Sequence, residues 1–218
     1  MVYLPPLFSE TRTELLIEHI ERHEFGLLVS QGGQGTDGGL IASQIPFLVE
    51  RRDDRLYLLG HVARANPQAD DLADDFASAG EALAIFQGPH AYISPSWYGT
   101  GPAVPTWNYA TVHAYGAARA IRDRGWLHDL VDRLSERHEA KEPAPPWRMR
   151  DLPEAYLASM LEGIVGIEIA VTRLEGKFKL SQNRPAADRP RIIAALERRE
   201  DTDSRGVAQL MRQRERAG

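Results

Sequence analysis

Apolar and polar residues alternate along this chain with two different periods, and the changes between them mark out its elements. From Thr11 the pattern is helical, with Leu15, Leu16 and Ile20 recurring at three-to-four spacing until about Glu24. Thr11 and Glu14 have the spacing of a capping box, which places the helix start at Thr11. Gly26 closes that helix. The period then falls to two, giving strands at about 27–30, 40–49 (LIASQIPFLV) and 56–62. Only turns separate these three strands, so they are expected to form an antiparallel meander.

Asn66-Pro67 is a helix start, with Asn as N-cap and Pro in the first turn. The pattern predicts a helix over 67–76, with Leu72, Ala73 and Phe76 inward and Asp70, Asp71, Asp74 and Asp75 in water. Residues 82–87 (ALAIFQ) read as a buried strand, which Gly88-Pro89 separates from His90-Ala91-Tyr92-Ile93-Ser94. A Pro/Gly-rich loop, 94–105, leads into the longest strand candidate, 107–121. Helices are expected at about 125–139 and 153–162, on either side of the linker KEPAPPW. Residues 164–174 alternate cleanly and return to the sheet. Beyond Pro185 the chain is helical and highly charged, anchored by Ile192, Ile193, Leu196, Val207, Leu210 and Met211. About six strands, mostly in hairpins and without a βαβ rhythm, indicate an α+β protein built on a barrel or sandwich.

Composition narrows the function classes. The 218 residues contain no cysteine, which removes disulfides, zinc ribbons, thiol nucleophiles and Cys-ligated clusters. No apolar run reaches the roughly 18 residues of a membrane span, and the N-terminus lacks the pattern of a secretory signal, so a cytoplasmic protein is expected. The net charge of −5 is unevenly spread. Residues 173–218 carry a local +5 and the remainder −10, so broad phosphate tracking on nucleic acid could come only from the C-terminal region.

Three motifs are decoys. Gly33-Gln34-Gly35-Thr36-Asp37-Gly38 matches the dinucleotide fingerprint in letters, but a strand pattern follows where the fingerprint needs a helix, so a hairpin loop is expected. His19 and His23 share a helix face, yet Ile20 stands where a zincin has its glutamate, so no metal site is assigned. Ser94 and Ser96 lie outside any nucleophile elbow, and no catalytic residue is assigned.

Three other segments carry chemistry. In Gly60 to Gln68 a strand end delivers His61 and Arg64, and Asn66 then opens a helix with free amides. Together these make an anion site of phosphate size, against the plain reading of an exposed Arg beside a capped helix. Strand alternation puts Trp107, Tyr109, Thr111 and His113 on one face and Asn108, Ala110 and Val112 on the other. Aromatics beside an imidazole suit a flat heterocycle such as a flavin, although a barrel core explains Trp107 and Tyr109 nearly as well. Lys177, Lys179, Ser181 and Asn183 form a polar row at the end of the last strand, which also fits an edge strand guarded by lysines.

Taken in order, these segments resemble the PaiB family of FMN-binding negative transcriptional regulators. The resemblance rests on Tyr3-Leu4-Pro5-Pro6, Phe25 to Ser30 (FGLLVS) and His61 to Gln68 (HVARANPQ). It continues through Ile85 to Tyr98 (IFQGPHAYISPSWY), Val104 to Tyr109 (VPTWNY) with Val112-His113, Gly163 to Gly166, and Gly176 to Asn183. It covers nearly the whole chain. It implies a six-stranded antiparallel split β-barrel of the FMN-binding, pyridoxamine-phosphate-oxidase-like type, with inserted and C-terminal helices. The implied domain spans 1–184 with a helical insertion at about 124–162, and 185–218 forms a charged helical extension packed on it.

The implied cofactor is FMN, held at a homodimer interface. By position, the Gly60–Gln68 segment, with His61, Arg64, Asn66 and Gln68, would take the phosphate, Arg64 and the helix amides being the donors and Ser43 lying beside it on the neighbouring strand. Trp107, Asn108 and His113 would line the flavin or the adjoining pocket, and Lys179, Ser181, Gln182 and Asn183 would close the site, from the same chain or the partner. DNA, if contacted at all, would meet the basic C-terminal helices or be reached through a partner protein. The alternative is a flavin-dependent oxidoreductase or heme-handling enzyme on the same barrel. The Gly-rich 31–39 loop is longer than this turn usually is in the family.

Overall fold

The computed structural model describes residues 1–33, 38–99, 101–144 and 146–217, the last without its side chain. Residues 34–37 of the fingerprint-like loop, Thr100 of the 94–105 loop and Pro145 of the linker fall outside the described residues. Strands are β1 (Ser9–Glu10), β2 (Phe25–Gln31), β3 (Leu40–Pro46), β4 (Leu48–Arg52), β5 (Arg55–Ala63), β6 (Glu81–Ile93), β7 (Thr106–Ile121) and β8 (Ile164–Lys179). Helices are α1 (Thr13–Arg22), α2 (Gln68–Asp71), α3 (Arg124–Glu139), α4 (Glu154–Glu162), α5 (Arg189–Glu197) and α6 (Thr202–Ala217).

The strand order is β3-β2-β6-β7-β8-β5-β4, with the two-residue β1 paired to β8. The main path therefore holds seven strands, where six were expected. The additional strand comes from dividing the predicted 40–49 strand at Phe47. Pro46 has no N–H to continue a ladder, and Phe47 instead donates its N–H to the Glu24 carbonyl at 2.9 Å. On one side β3 pairs antiparallel with β2, and on the other β4 pairs antiparallel with β5. These hairpins stand at opposite ends of the strand order, so the predicted meander is not formed. One residue joins the two end strands, which requires the sheet to curl until its ends meet. Gly60 of β5 lies against Ile45, Pro46 and Phe47, where a Cβ would come within 3.0 Å of the Pro46 carbonyl oxygen.

The segments on either side of Gly88-Pro89 form one strand, β6. Pro89 is tolerated because β6 pairs with β2 through Leu83 to Ile85, so no donor is needed from it on that side. Around the fingerprint-like loop, Gln31 pairs with Leu40 and Gly32 donates to the Gly39 carbonyl at 2.7 Å, so its flanks form the predicted hairpin. Strand β3 follows, as the rejection of a dinucleotide site required. At α1 the capping box is replaced. Arg12 is the N-cap, and the Glu10 carboxylate takes both its backbone N–H at 3.0 Å and its guanidinium.

The chain resolves into two compact units. One comprises Met1–His23, Phe86–His113 and Leu174–Gly218, and the other comprises Glu24–Ile85 and Ala114–Arg173. In the second unit α3 lays Leu127, Leu130 and Leu134 inward at helical spacing. Leu130 and Leu134 pack on Leu48 and Leu59 beside Tyr57 and Trp126. Gly166 of β8 makes room for the Trp126 ring, which an added Cβ would strike. In the first unit Ile192, Ile193, Leu196, Val207 and Met211 of α5 and α6 are buried as anticipated, and Pro89 packs against Gly206.

Candidate functional site

The sequence-predicted site residues divide between the two units. Ser43, His61, Arg64, Asn66 and Gln68 belong to one, and Trp107, Asn108, His113, Lys179, Ser181, Gln182 and Asn183 to the other.

In the first set, β5 delivers His61, and the chain then turns through Arg64 to Gln68. The Arg64 N–H donates to the Gly163 carbonyl at 2.8 Å and its Nε to the Glu162 carbonyl, so both backbone and side chain are anchored on the end of α4. Its head remains exposed. Asn66 Nδ2 donates to Ser43 Oγ at 2.8 Å, Asn66 Oδ1 accepts the Gln68 N–H at 3.0 Å, and Gln68 Nε2 donates to Ser30 Oγ at 2.8 Å. These bonds tie the loop to β2 and β3.

Two expectations about this loop are corrected. Helix α2 is a single turn rather than a helix over 67–76. Leu72 adopts extended backbone, and Ala73 leaves to bridge Arg119 while its carbonyl accepts the Ala120 N–H at 2.8 Å. The amides of the turn are also not free. The N–H groups of Ala69, Asp70 and Asp71 bond to the Asn66 and Pro67 carbonyls, and Gln68 N–H is capped by Asn66. With one turn and satisfied amides, the helix dipole contributes little to anion binding. Burial holds the His61 pKa below its ordinary value, so this imidazole is neutral near pH 7 and Arg64 carries the positive charge alone.

What remains still suits a phosphate. Ser43 Oγ accepts from Asn66, which leaves its own proton to donate, and Arg64 presents a guanidinium fork. Gln68 is fully buried, and its Oε1 has no partner among the described residues, as is also true of His61 Nδ1. Two unpartnered buried polar atoms in the same segment fit a site for a polar ligand.

In the second set, alternation along β7 is as predicted. Trp107 is 53% exposed, and Asn108, Ala110 and Val112 are completely buried. Trp107 has the Tyr92 ring edge-on at 6.0 Å and the His90 ring at 6.2 Å. Lys179 Nζ donates to Thr106 Oγ1 and the Trp107 carbonyl, which pins the start of β7. Burial, then Lys177 and Arg184, push the Lys179 pKa down. Lys177 sits between the Tyr3 and Tyr109 rings at 5.1 and 5.5 Å. Burial also lowers the His113 pKa, against the opposing influence of Glu175.

Asn108 faces away from Trp107 and His113, and its amide is committed to Ser181 Oγ at 2.8 Å and Met211 Sδ at 3.6 Å. The predicted polar row stops at Lys179, where β8 ends. Ser181 is buried in a left-handed turn with φ of 63°. Gln182 folds back, accepting the Leu180 N–H at 2.6 Å and donating to the Phe178 carbonyl, and Asn183 is exposed. Any contact of Asn108 or Gln182 with a ligand is therefore secondary to a role in holding this turn.

Sequence reasoning did not single out Ser30, His90, Tyr92 or Arg122. Ser30, His90 and Tyr92 stand inside motifs already noted. Arg122 could have been found as the cation ending a strand across from the acidic 70–75 segment.

Residues 2–173 match the model of a family described as a putative FMN-binding domain. The chain belongs to that family, the PaiB-type FMN-binding proteins. It is 34% identical over 210 residues to "Protease synthase and sporulation protein PAI 2" of Bacillus subtilis, covering 96% of each chain. An uncharacterized protein of Emericella nidulans is 31% identical over 244 residues, covering 98% of this chain and 97% of its own. Among solved structures, a conserved hypothetical protein of Mycobacterium tuberculosis aligns with a TM-score of 0.53 at 14% identity, covering 84% of this chain and 94% of its own. A putative 5-nitroimidazole antibiotic resistance protein of Bacteroides thetaiotaomicron aligns with a TM-score of 0.50 at 12% identity, covering 78% and 85%. The fold of this PaiB-type chain is thus α+β, a curled antiparallel sheet with helices, and its family cofactor is FMN. FMN supplies reversible one- and two-electron redox chemistry where it is bound.

Proposed function

We propose that this protein is a cytoplasmic FMN-binding negative regulator of the PaiB type, a homodimer that holds FMN at its interface. The observation that carries the reading is the Ser43 hydroxyl preset by Asn66, with the Arg64 guanidinium on the same loop anchored to the end of α4, in a chain of the FMN-binding family. In this reading Arg64 and Ser43 hold the phosphate, His61, Asn66 and Gln68 shape its loop, and Trp107, His113 and Lys179 meet the ring end. Asn108, Ser181, Gln182 and Asn183 set the turn beside them. Residues 1–184 form the binding domain, and 185–218 buttress it.

The decisive experiment is the absorbance spectrum and FMN titration of the purified protein, with its mass in solution measured alongside. A yellow, saturable dimer supports the reading. Colourless protein indifferent to FMN, or a monomer at micromolar concentration, rejects it.

One observation favours a second reading. Several C-terminal cations are engaged within the chain. Arg212 grips Glu197, Arg189 grips Glu215, and Arg199 lies over Trp97. Cations tied to carboxylates and rings are poor phosphate trackers, so the regulator would act on its genes mainly through a partner protein. The same observation leaves room for a flavin-dependent oxidoreductase or heme-handling enzyme. Salt-sensitive binding to its own promoter region would establish direct regulation, whereas NAD(P)H turnover by the FMN-loaded protein would establish the enzyme. Among the described residues no helix is long and apolar enough to cross a membrane.

A further inference from the structure

The loop read above as the phosphate seat has an electrostatic difficulty. Asp70, Asp71, Asp74 and Asp75 follow it within a few residues, and charge acts over roughly 8–10 Å at moderate salt. Its helical turn is also too short to be stable by itself, since nucleating one turn is unfavourable.

One side chain answers both problems. Arg122, the residue after β7, donates Nη2 to the Ala69 carbonyl at 3.2 Å. It also pairs with Asp74 and lies 3.8 Å from Asp70. Ala69 is completely buried, and its own N–H bonds to the Asn66 carbonyl at 2.9 Å. Holding Ala69 therefore holds Asn66, and Asn66 orients the Ser43 hydroxyl. Arg122 also lines an open cavity of about 500 Å³ with Asp74, Arg119, Asp123 and Trp126, so salt can reach this clasp.

We propose that Arg122 is a positioning residue for the phosphate end of the cofactor, fixing the Asn66 loop from outside and cancelling the charge of Asp70 and Asp74. Its bonds run to Ala69, Asp70 and Asp74, and it needs no contact with the ligand. The proposal rests on the reading that the phosphate sits at Arg64 and Ser43.

The test compares FMN with riboflavin, which lacks the phosphate, by quenching of flavin fluorescence at low and high salt. Wild-type protein is expected to prefer FMN. Arg122→Ala should lose about tenfold in FMN affinity, about 1.4 kcal/mol, with riboflavin affinity nearly unchanged and the loss shrinking at high salt. Arg122→Lys should fall between. Asp70→Asn with Asp74→Asn in the Arg122→Ala background should recover part of the affinity for FMN alone. Should Arg122→Ala fail to fold, the same two Asn substitutions in wild type should raise FMN affinity at low salt and leave riboflavin alone. Equal losses for both ligands, no loss for either, or no effect of the Asn pair would overturn the proposal. A wild-type protein that binds both ligands equally would instead remove the phosphate reading beneath it.

Discussion

Asn108 and Ser181 hold one another by reciprocal hydrogen bonds. The Asn108 amide nitrogen donates to Ser181 Oγ at 2.8 Å, and the Ser181 hydroxyl reaches the Asn108 amide oxygen at 3.2 Å. Both side chains are buried, 73 residues apart in sequence. The pair closes the turn after β8, where Ser181 has φ of 63°, a conformation that costs a non-glycine residue about 1–2 kcal/mol. Asn108→Leu should destabilise the protein by about 1–3 kcal/mol, because it strands a buried hydroxyl. Ser181→Gly should be more stable than Ser181→Ala by about 1 kcal/mol, since both lose the hydroxyl and only Gly relieves the backbone. Urea denaturation of the three variants checks both orders.

Arg64 is the one cation among Ser43, His61, Arg64, Asn66 and Gln68, because His61 is held neutral by burial. Arg64→Ala should weaken FMN binding by about 1.5–3 kcal/mol, the scale of a hydrogen bond to a charged group. Riboflavin binding should change little. An unchanged FMN affinity in fluorescence titration would place the phosphate elsewhere.

These residues also show what the sequence made legible. The β7 alternation put Trp107 outside and Asn108 inside because period two is a property of the backbone alone. The strand break at Phe47 was hidden, since Pro46 ends a ladder only when its neighbour is known, and β3 and β4 find their partners at opposite ends of the sheet. The free amides expected at Asn66 were overturned by local geometry. Asn66 Oδ1 reaches the Gln68 N–H, and Ala73 is drawn to Arg119 before a second helical turn can form. Arg122 went unremarked because its partners lie 48 to 53 residues away.

Gly116 should tolerate no side chain. A Cβ there would fall inside van der Waals distance of the Ala170 carbonyl, which is backbone of β8 and cannot rotate away. Gly116→Ala should cost about 3 kcal/mol, the upper end for overpacking. A melting temperature within a degree or two of wild type would show that the strands yield.

His19 should make the protein weaker in mild acid. Its ring is 5% exposed, its Nε2 lies 3.2 Å from the Phe86 carbonyl, and burial, then the nearby His23, pull its pKa down to about 4. Because the folded pKa lies below the unfolded value near 6.5, the unfolded chain takes up the proton first. This stabilisation of the neutral form is complete above pH 6.5 and drains away as pH falls towards 4. It amounts to roughly 3 kcal/mol across that window. His23, His61 and His113 are shifted in the same direction, which adds to the slope. Between pH 7 and 5, where carboxylates are still ionised, chemical denaturation should show stability dropping steadily. His19→Leu should flatten part of that drop. A pH-independent stability over this range, or an unchanged slope in His19→Leu, would mean that His19 is free to protonate in the folded protein.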